Sequence, residues 1–162
     1  MEANQFMTSE FSIALHALAY LAKHPAACVS SQQLAENVCT NPARIRKVMA
    51  ALKKADLITT KEGIGGGYRI GRAAGDITLD ALPQALGMPI VPAPAHTGDV
   101  DCDCMIASGM GAVMDDLCVQ LDQSCRACLA RMTLADIIDT LAAHRAALQT
   151  DDAGNEVIYH EG

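Results

Sequence analysis

Hydrophobic positions recur at helical spacing through most of the chain and at strand spacing in one short region. Phe11, Ala14, Leu15, Leu18, Ala19 and Ala22 fall on one face, which predicts a first helix over residues 9–23. His24-Pro25 ends it, because the residue before proline is pushed out of helical backbone. Ser30 and Gln33 have the spacing of a capping box and predict a second helix over 31–38. After the tight connection Cys39-Thr40, Asn41-Pro42 starts a third helix. Asn accepts a backbone hydrogen bond there, and proline fits the first helical position. Leu34, Ala35, Val38, Ile45, Val48, Met49 and Leu52 should form the core of this helix-turn-helix pair.

The period then changes. Residues 57–61 and 68–70 are β-prone and flank Gly63, Gly65, Gly66 and Gly67, the outline of a β-hairpin wing. A short helix is expected over 79–86, capped by Thr78. Residues 87–101 hold three of the six prolines and read as a surface linker. From about Cys104 to Arg131 helical spacing returns, with Met110, Met114, Leu117, Cys118, Leu121, Cys125 and Cys128 along one stripe. Such a helix spans about 40 Å. A small winged head cannot cover that length, so a second subunit is expected on the stripe. Thr133, with Asp136 three residues on, starts a last helix to about Leu148.

The expected fold is therefore mainly α with a small β-hairpin wing, a winged helix-turn-helix followed by a long dimerisation helix. Its parts are a DNA-binding domain over 1–86, a linker over 87–103, a helical dimerisation and sensor region over 104–148, and a flexible acidic tail over 149–162. Composition supports helices: 51% of residues are hydrophobic but only 3% aromatic, so Ala, Leu, Ile, Val and Met must build the core. No apolar run approaches the roughly 20 residues that span a bilayer. The N-terminal residues lack the basic and apolar segments of a secretory signal, so a cytoplasmic protein with reduced thiols and no membrane role is expected.

Charge changes the picture more. The chain carries −7 overall, yet residues 41–72 hold eight of its 12 basic residues against only Asp56 and Glu62. A basic island in an acidic chain reads as a phosphate-binding face. The first turns of a recognition helix meet base edges, which selects Asn41, Arg44, Ile45 and Arg46. Lys47 reaches a base or a phosphate. Lys53 and Lys54 suit the DNA backbone, and Gly66 and Arg69 suit the minor groove beside the wing.

These residues resemble the Rrf-type winged-helix transcription regulators, and the YwnA-like subgroup most. The resemblance is carried by Ala14-Leu15-His16, the block from Thr40-Asn41-Pro42 to Lys53-Lys54-Ala55-Asp56-Leu57, Gly65-Gly66-Gly67-Tyr68, Asp76-Ile77-Thr78-Leu79, and Thr133-Leu134-Ala135-Asp136-Ile137. It covers about residues 6–145 in consistent order. It implies a homodimer with crossing long helices, a repressor or activator that sets two winged heads on a palindromic double-stranded operator. Cluster-binding members of the family carry three spaced cysteines at the start of the long helix. Here that place holds only Cys102 and Cys104. A family variant uses two cysteines, a first-helix histidine and a carboxylate; His16 matches the histidine, but Ser12 stands where the acid would be. The resemblance thus admits a [2Fe–2S] cluster on Cys102, Cys104 and His16 with its usual ligand set incomplete.

Cys118, Cys125 and Cys128 share one helix face, and the last two form a C-x-x-C near Arg126 and Arg131, which favour thiolate. Across a dimer axis they could form disulfides or bind zinc or copper. The same spacing also suits small residues filling a helix seam. Cys28 and Cys39 read as packing residues. An alternative is a thiol-rich dimer that handles metal or redox equivalents with little DNA-binding role. Two other signals fail. Asp99, Asp101 and Asp103 start like a calcium loop, but Cys104 and Met110 occupy the positions that require Gly and Glu. The glycine run lacks the Gly-Lys-Ser/Thr of a nucleotide loop. No nucleophile with its base is visible, so no enzyme is expected.

Overall fold

The structure, a computed structural model, describes residues 9–153. Six α-helices and one hairpin follow in order: α1 Ser9–Lys23, α2 Ser31–Val38, α3 Pro42–Lys54, β1 Ile58–Lys61, β2 Gly67–Ile70, α4 Ala81–Leu86, α5 Met105–Leu129 and α6 Leu134–Ala153. A 3-10 turn at Ala74–Asp76 precedes α4. The last helix thus enters the segment expected to be a tail; residues 154–162 of that tail lie outside the described residues.

Helix α1 is the pillar of the winged head. It buries Phe11, Ile13, Ala14, Ala17, Leu18, Ala19 and Leu21 against Leu34 of α2, Ile45, Met49 and Leu52 of α3, Ile58 of β1 and Leu134 of α6. Two caps set the helix-turn-helix angle. Ser30 accepts from the backbone N–H of Gln33, and the Gln33 side chain accepts from that of Ser30. Asn41 accepts from the N–H of Arg44 at 2.8 Å. Each such cap contributes about 1 kcal/mol. Between them Cys39 takes left-handed backbone (φ 57°) and lies exposed, so it turns the chain and does not pack.

The hairpin pairs Ile58 with Ile70 and Lys61 with Gly67. Val29 extends it: its N–H and carbonyl both bond Tyr68, at 3.0 and 2.8 Å. A side chain at Gly67 would run into the Val29 carbonyl, so this approach requires glycine.

Thr78 does not cap α4; Asp80 holds that position, without a capping hydrogen bond. Thr78 instead forms a β-bridge with Thr133. Leu134 N–H donates to the Ile77 carbonyl, and Leu79 N–H to the Met132 carbonyl, both at 2.9 Å. The Asp76–Leu79 and Thr133–Ile137 motifs therefore meet in space, fixing the start of α6 to the head.

The expected surface linker is docked along part of its length. Ile90 and Val91 are buried, and both of their N–H groups donate to Asp122 Oδ1, at 2.6 and 3.0 Å. Arg126 completes a clamp. It donates to Asp122 at 2.8 Å, to Asp80 at 3.3 Å and to the Met88 carbonyl at 3.0 Å. The head, the linker and α5 meet at this one guanidinium.

Candidate nucleic-acid interface

Ile45, Val48, Met49 and Leu52 lock one side of α3 into the core. The helical period then forces Ala43, Arg46, Lys47, Ala50, Lys53 and Lys54 onto the opposite, exposed side. Ile45, expected at a base edge, has no exposed surface and cannot reach one. The periodicity of the core residues already placed it inside.

The cations of the island divide by their partners. Arg44 donates to the Ser9 hydroxyl and lies 3.9 Å from Glu10, which is 3.9 Å from Lys47 as well. Glu10's own backbone N–H, with the Ser9 hydroxyl, Lys47 and Arg44, holds its carboxyl below the usual range despite partial burial. Arg72 is held on the protein surface: it donates to the carbonyls of Asp56 and Ala55, at 3.1 and 3.3 Å, and caps the end of α3. Arg46, Lys53, Lys54, Lys61 and Arg69 are exposed and form no ion pair among the described residues.

A cleft of about 390 Å³ lies where the wing meets α2 and α3, lined by Ser30, Ser31, Lys53, Thr60, Lys61 and Tyr68 among others. Lys53 and Lys61 flank the cleft beside the capped start of α2, with Glu62 on the same rim. Burial raises the Tyr68 pKa, and Arg46 opposes the shift, so the phenol stays a neutral donor. Residue types alone did not single out Ser31, Thr60 or Tyr68. The capping box at Ser30 and the wing glycines were their signal. Ile64, also unremarked in the sequence, stands fully exposed at the hairpin tip between Gly63 and Gly65, both in left-handed backbone.

Residues 7–140 match the profile of Rrf2, described as an iron-dependent transcriptional regulator. The chain belongs to the Rrf2 family. It is a transcriptional regulator by family. A crystal structure of a transcriptional regulator from Lactobacillus plantarum is similar, with 30% identity and a TM-score of 0.72 over 90% of this chain and 98% of that one. YwnA of Bacillus subtilis, named an HTH-type transcriptional regulator, is 33% identical over 60 residues, 37% of this chain and 44% of YwnA's length. Two more distant structures share the fold. T. potens IscR is 20% identical with a TM-score of 0.60, covering 83% of this chain and 87% of its own. CymR, the global cysteine regulator of B. subtilis, is 21% identical with a TM-score of 0.60, covering 83% and 96%.

Cys102 and Cys104 are exposed at the start of α5, where the Cys104 N–H lies 3.5 Å from the Cys102 sulfur. No capping hydrogen bond closes at Cys104, but the open N–H groups of Ala107 and Ile106 face its thiol and lower its pKa. His16 lines a groove between α1 and α6. No group of three or more His, Cys, Asp or Glu side chains converges among the described residues of one chain. Among the described residues of this chain, two neighbouring thiols fall short of the four ligands of a [2Fe–2S] cluster, and His16 lies apart from them.

Cys118, Cys125 and Cys128 lie along α5; the first two are half-buried and the third exposed. Arg126, expected to favour their thiolates, is committed to Asp122, Asp80 and Met88 instead. Asp122 and Asp80 lower the acidity of that guanidinium further, against partial burial. No helix of the described residues is long and apolar enough to cross a membrane.

Proposed function

We propose that this Rrf2 chain acts as a homodimer that binds palindromic double-stranded DNA through α3 and the wing. The outward stripe of α3 carries this reading: four cations interleaved with Ala43 and Ala50, opposite a sealed core face. Arg46 and Lys47 read base edges in the major groove. Arg44, half-exposed and tied to Ser9, reinforces them, and the free amide of Asn41 lies at the same end. Ala43 and Ala50 suit thymine methyl groups. Lys53, Lys54 and Lys61 take phosphates, and Gly66, where a side chain would run into the Lys61 and Gly63 carbonyls, closes the hairpin tip that sets Arg69 and the wing beside the minor groove.

The dimer forms on α5. Val113, Leu117 and Leu121 stay exposed along one face there, and two such helices would cover each other. Cys118, Cys125 and Cys128 occupy the same helix, so oxidation of a thiol pair to a disulfide by peroxide would change how two copies of α5 cross. The Asp122–Arg126 clamp passes that change to the head and alters head spacing against the roughly 34 Å half-site repeat. The test is binding to duplexes selected from a random pool, before and after oxidation. Wild type loses affinity on oxidation and regains it on reduction, whereas Cys125→Ser responds less. Equal oxidation responses in both proteins contradict the thiol part, and no selected sequence at all contradicts the DNA part.

A further inference from the structure

We propose that the groove between α1 and α6 binds a small carboxylate with an apolar body, and that this ligand holds the far half of α6 against the winged head. The groove has a volume of about 330 Å³, the size of small-molecule sites. Ala19 and Tyr20 of α1 and Ile138 and Leu141 of α6 make it apolar. The Tyr20 ring is held in place: His24 stacks on it with centroids 4.4 Å apart, and His24 Nδ1 lies 2.8 Å from the Tyr20 carbonyl.

Its charge selects the ligand. Lys23 and Arg145 both line the groove, and neither has an ion pair among the described residues. Among the described residues no Asp or Glu lines it, in a chain with 19 acidic residues and a net charge of −7. Two unpaired cations beside apolar walls are complementary to a carboxylate carrying a short aliphatic or aromatic group. Arg145 offers a bidentate fork, and Asn37 of α2 adds an amide.

The position gives the ligand a lever. The start of α6 is fixed by the Thr78–Thr133 bridge and buried Leu134, while residues 141–148 are exposed. A ligand joining Arg145 to Lys23 and Asn37 ties this outer half to α1 and to the first helix of the helix-turn-helix pair. If that tie alters operator affinity, operator binding alters ligand affinity by the same factor.

Benzoate and hexanoate are suitable probes, with benzyl alcohol as the uncharged match. They are titrated into the full chain by NMR, reading Tyr20 and Leu141 resonances. Saturable binding of both carboxylates is expected, with benzyl alcohol at least about tenfold weaker. The double variant Lys23→Gln with Arg145→Gln should lose about tenfold or more for benzoate, and Leu141→Trp should block the groove; melting curves check that both variants fold. The proposal is overturned by any of these: benzyl alcohol binding as tightly as benzoate, the charge variant binding unchanged, or neither carboxylate binding. It is also overturned if Leu141→Trp dissociates a dimer yet leaves benzoate binding intact, since a second copy would then occupy the groove's rim. The titration uses no DNA, so its failure leaves the operator reading standing.

Discussion

Leu18, Leu34, Met49 and Leu52 sit in the winged head with no surface exposed, whereas α5, 25 residues long, contains no buried residue at all. Both regions spend their apolar residues at helical spacing. The head closes its stripes on α1, within one chain. Helix α5 leaves Val113, Leu117 and Leu121 facing outward, and the Asp122–Arg126 clamp ties its second half to the head by side-chain hydrogen bonds. A stripe satisfied within the chain is structural; a stripe left open is a surface for something else.

The largest effect should come from cutting each stripe in turn. Leu52→Ala is expected to lower the stability of the head by about 2–5 kcal/mol, because it leaves a cavity in a sealed core. Leu117→Ala should leave the melting of the dilute, monomeric chain nearly unchanged and instead weaken self-association, read by sedimentation. Equal destabilisation by both variants at every concentration would erase the distinction.

The clamp comes next. Arg126→Ala removes bonds to Asp122, Asp80 and Met88 and should cost about 1–3 kcal/mol, since part-buried partners are left unsatisfied. It should also release residues 88–91, seen as faster amide exchange at Ile90 and Val91. Acid offers a second route. Burial alone would raise the Asp122 pKa, but the Val91 N–H, Arg126 and the Ile90 N–H outweigh it and the folded value lies below the ordinary one. Asp122 therefore stabilises fully above the unfolded carboxyl value of about 3.9, and that contribution is lost as pH falls through the lower folded value. Exchange at Ile90 and Val91 that stays constant across this acid range would contradict the assignment.

Thr133→Ala should have the smallest effect, about 1 kcal/mol. Thr133 and Asp136 cap α6 reciprocally, at 3.2 Å to the Asp136 N–H and 2.7 Å from the Thr133 N–H, on an exposed surface. Thermal melting measures it, and a loss as large as that of Leu52→Ala would contradict a role limited to capping.

The winged head was largely legible in the sequence because its signals are local. Capping residues, helical spacing and the glycine-flanked runs each act within a few residues, and Ser30, Asn41 and the hairpin appear where those signals placed them. What escaped was long-range pairing. Nothing in the spacing tells that Thr78 meets Thr133, that Asp122 reaches back to Ile90, or that Arg126 is withdrawn from its neighbouring cysteines. Ile45 shows a different failure: position within the helix suggested a base contact, while the apolar period, read on the same residue, placed it in the core. The sequence counts the cations of the basic island but not their partners: Arg72 caps α3, and Arg44 is held by Ser9 and Glu10.

The unpaired cations on α3 and the wing are proposed to hold DNA. The most direct measurement is the salt dependence of duplex binding for wild type, Lys53→Ala, Lys61→Ala and Arg46→Ala. Each lysine variant should bind more weakly to all sequences and reduce the slope of log affinity against log salt by about 0.9. Arg46→Ala should cost about 1–3 kcal/mol and relax preference at one base pair. Unchanged slopes and affinities in folded variants would contradict the account.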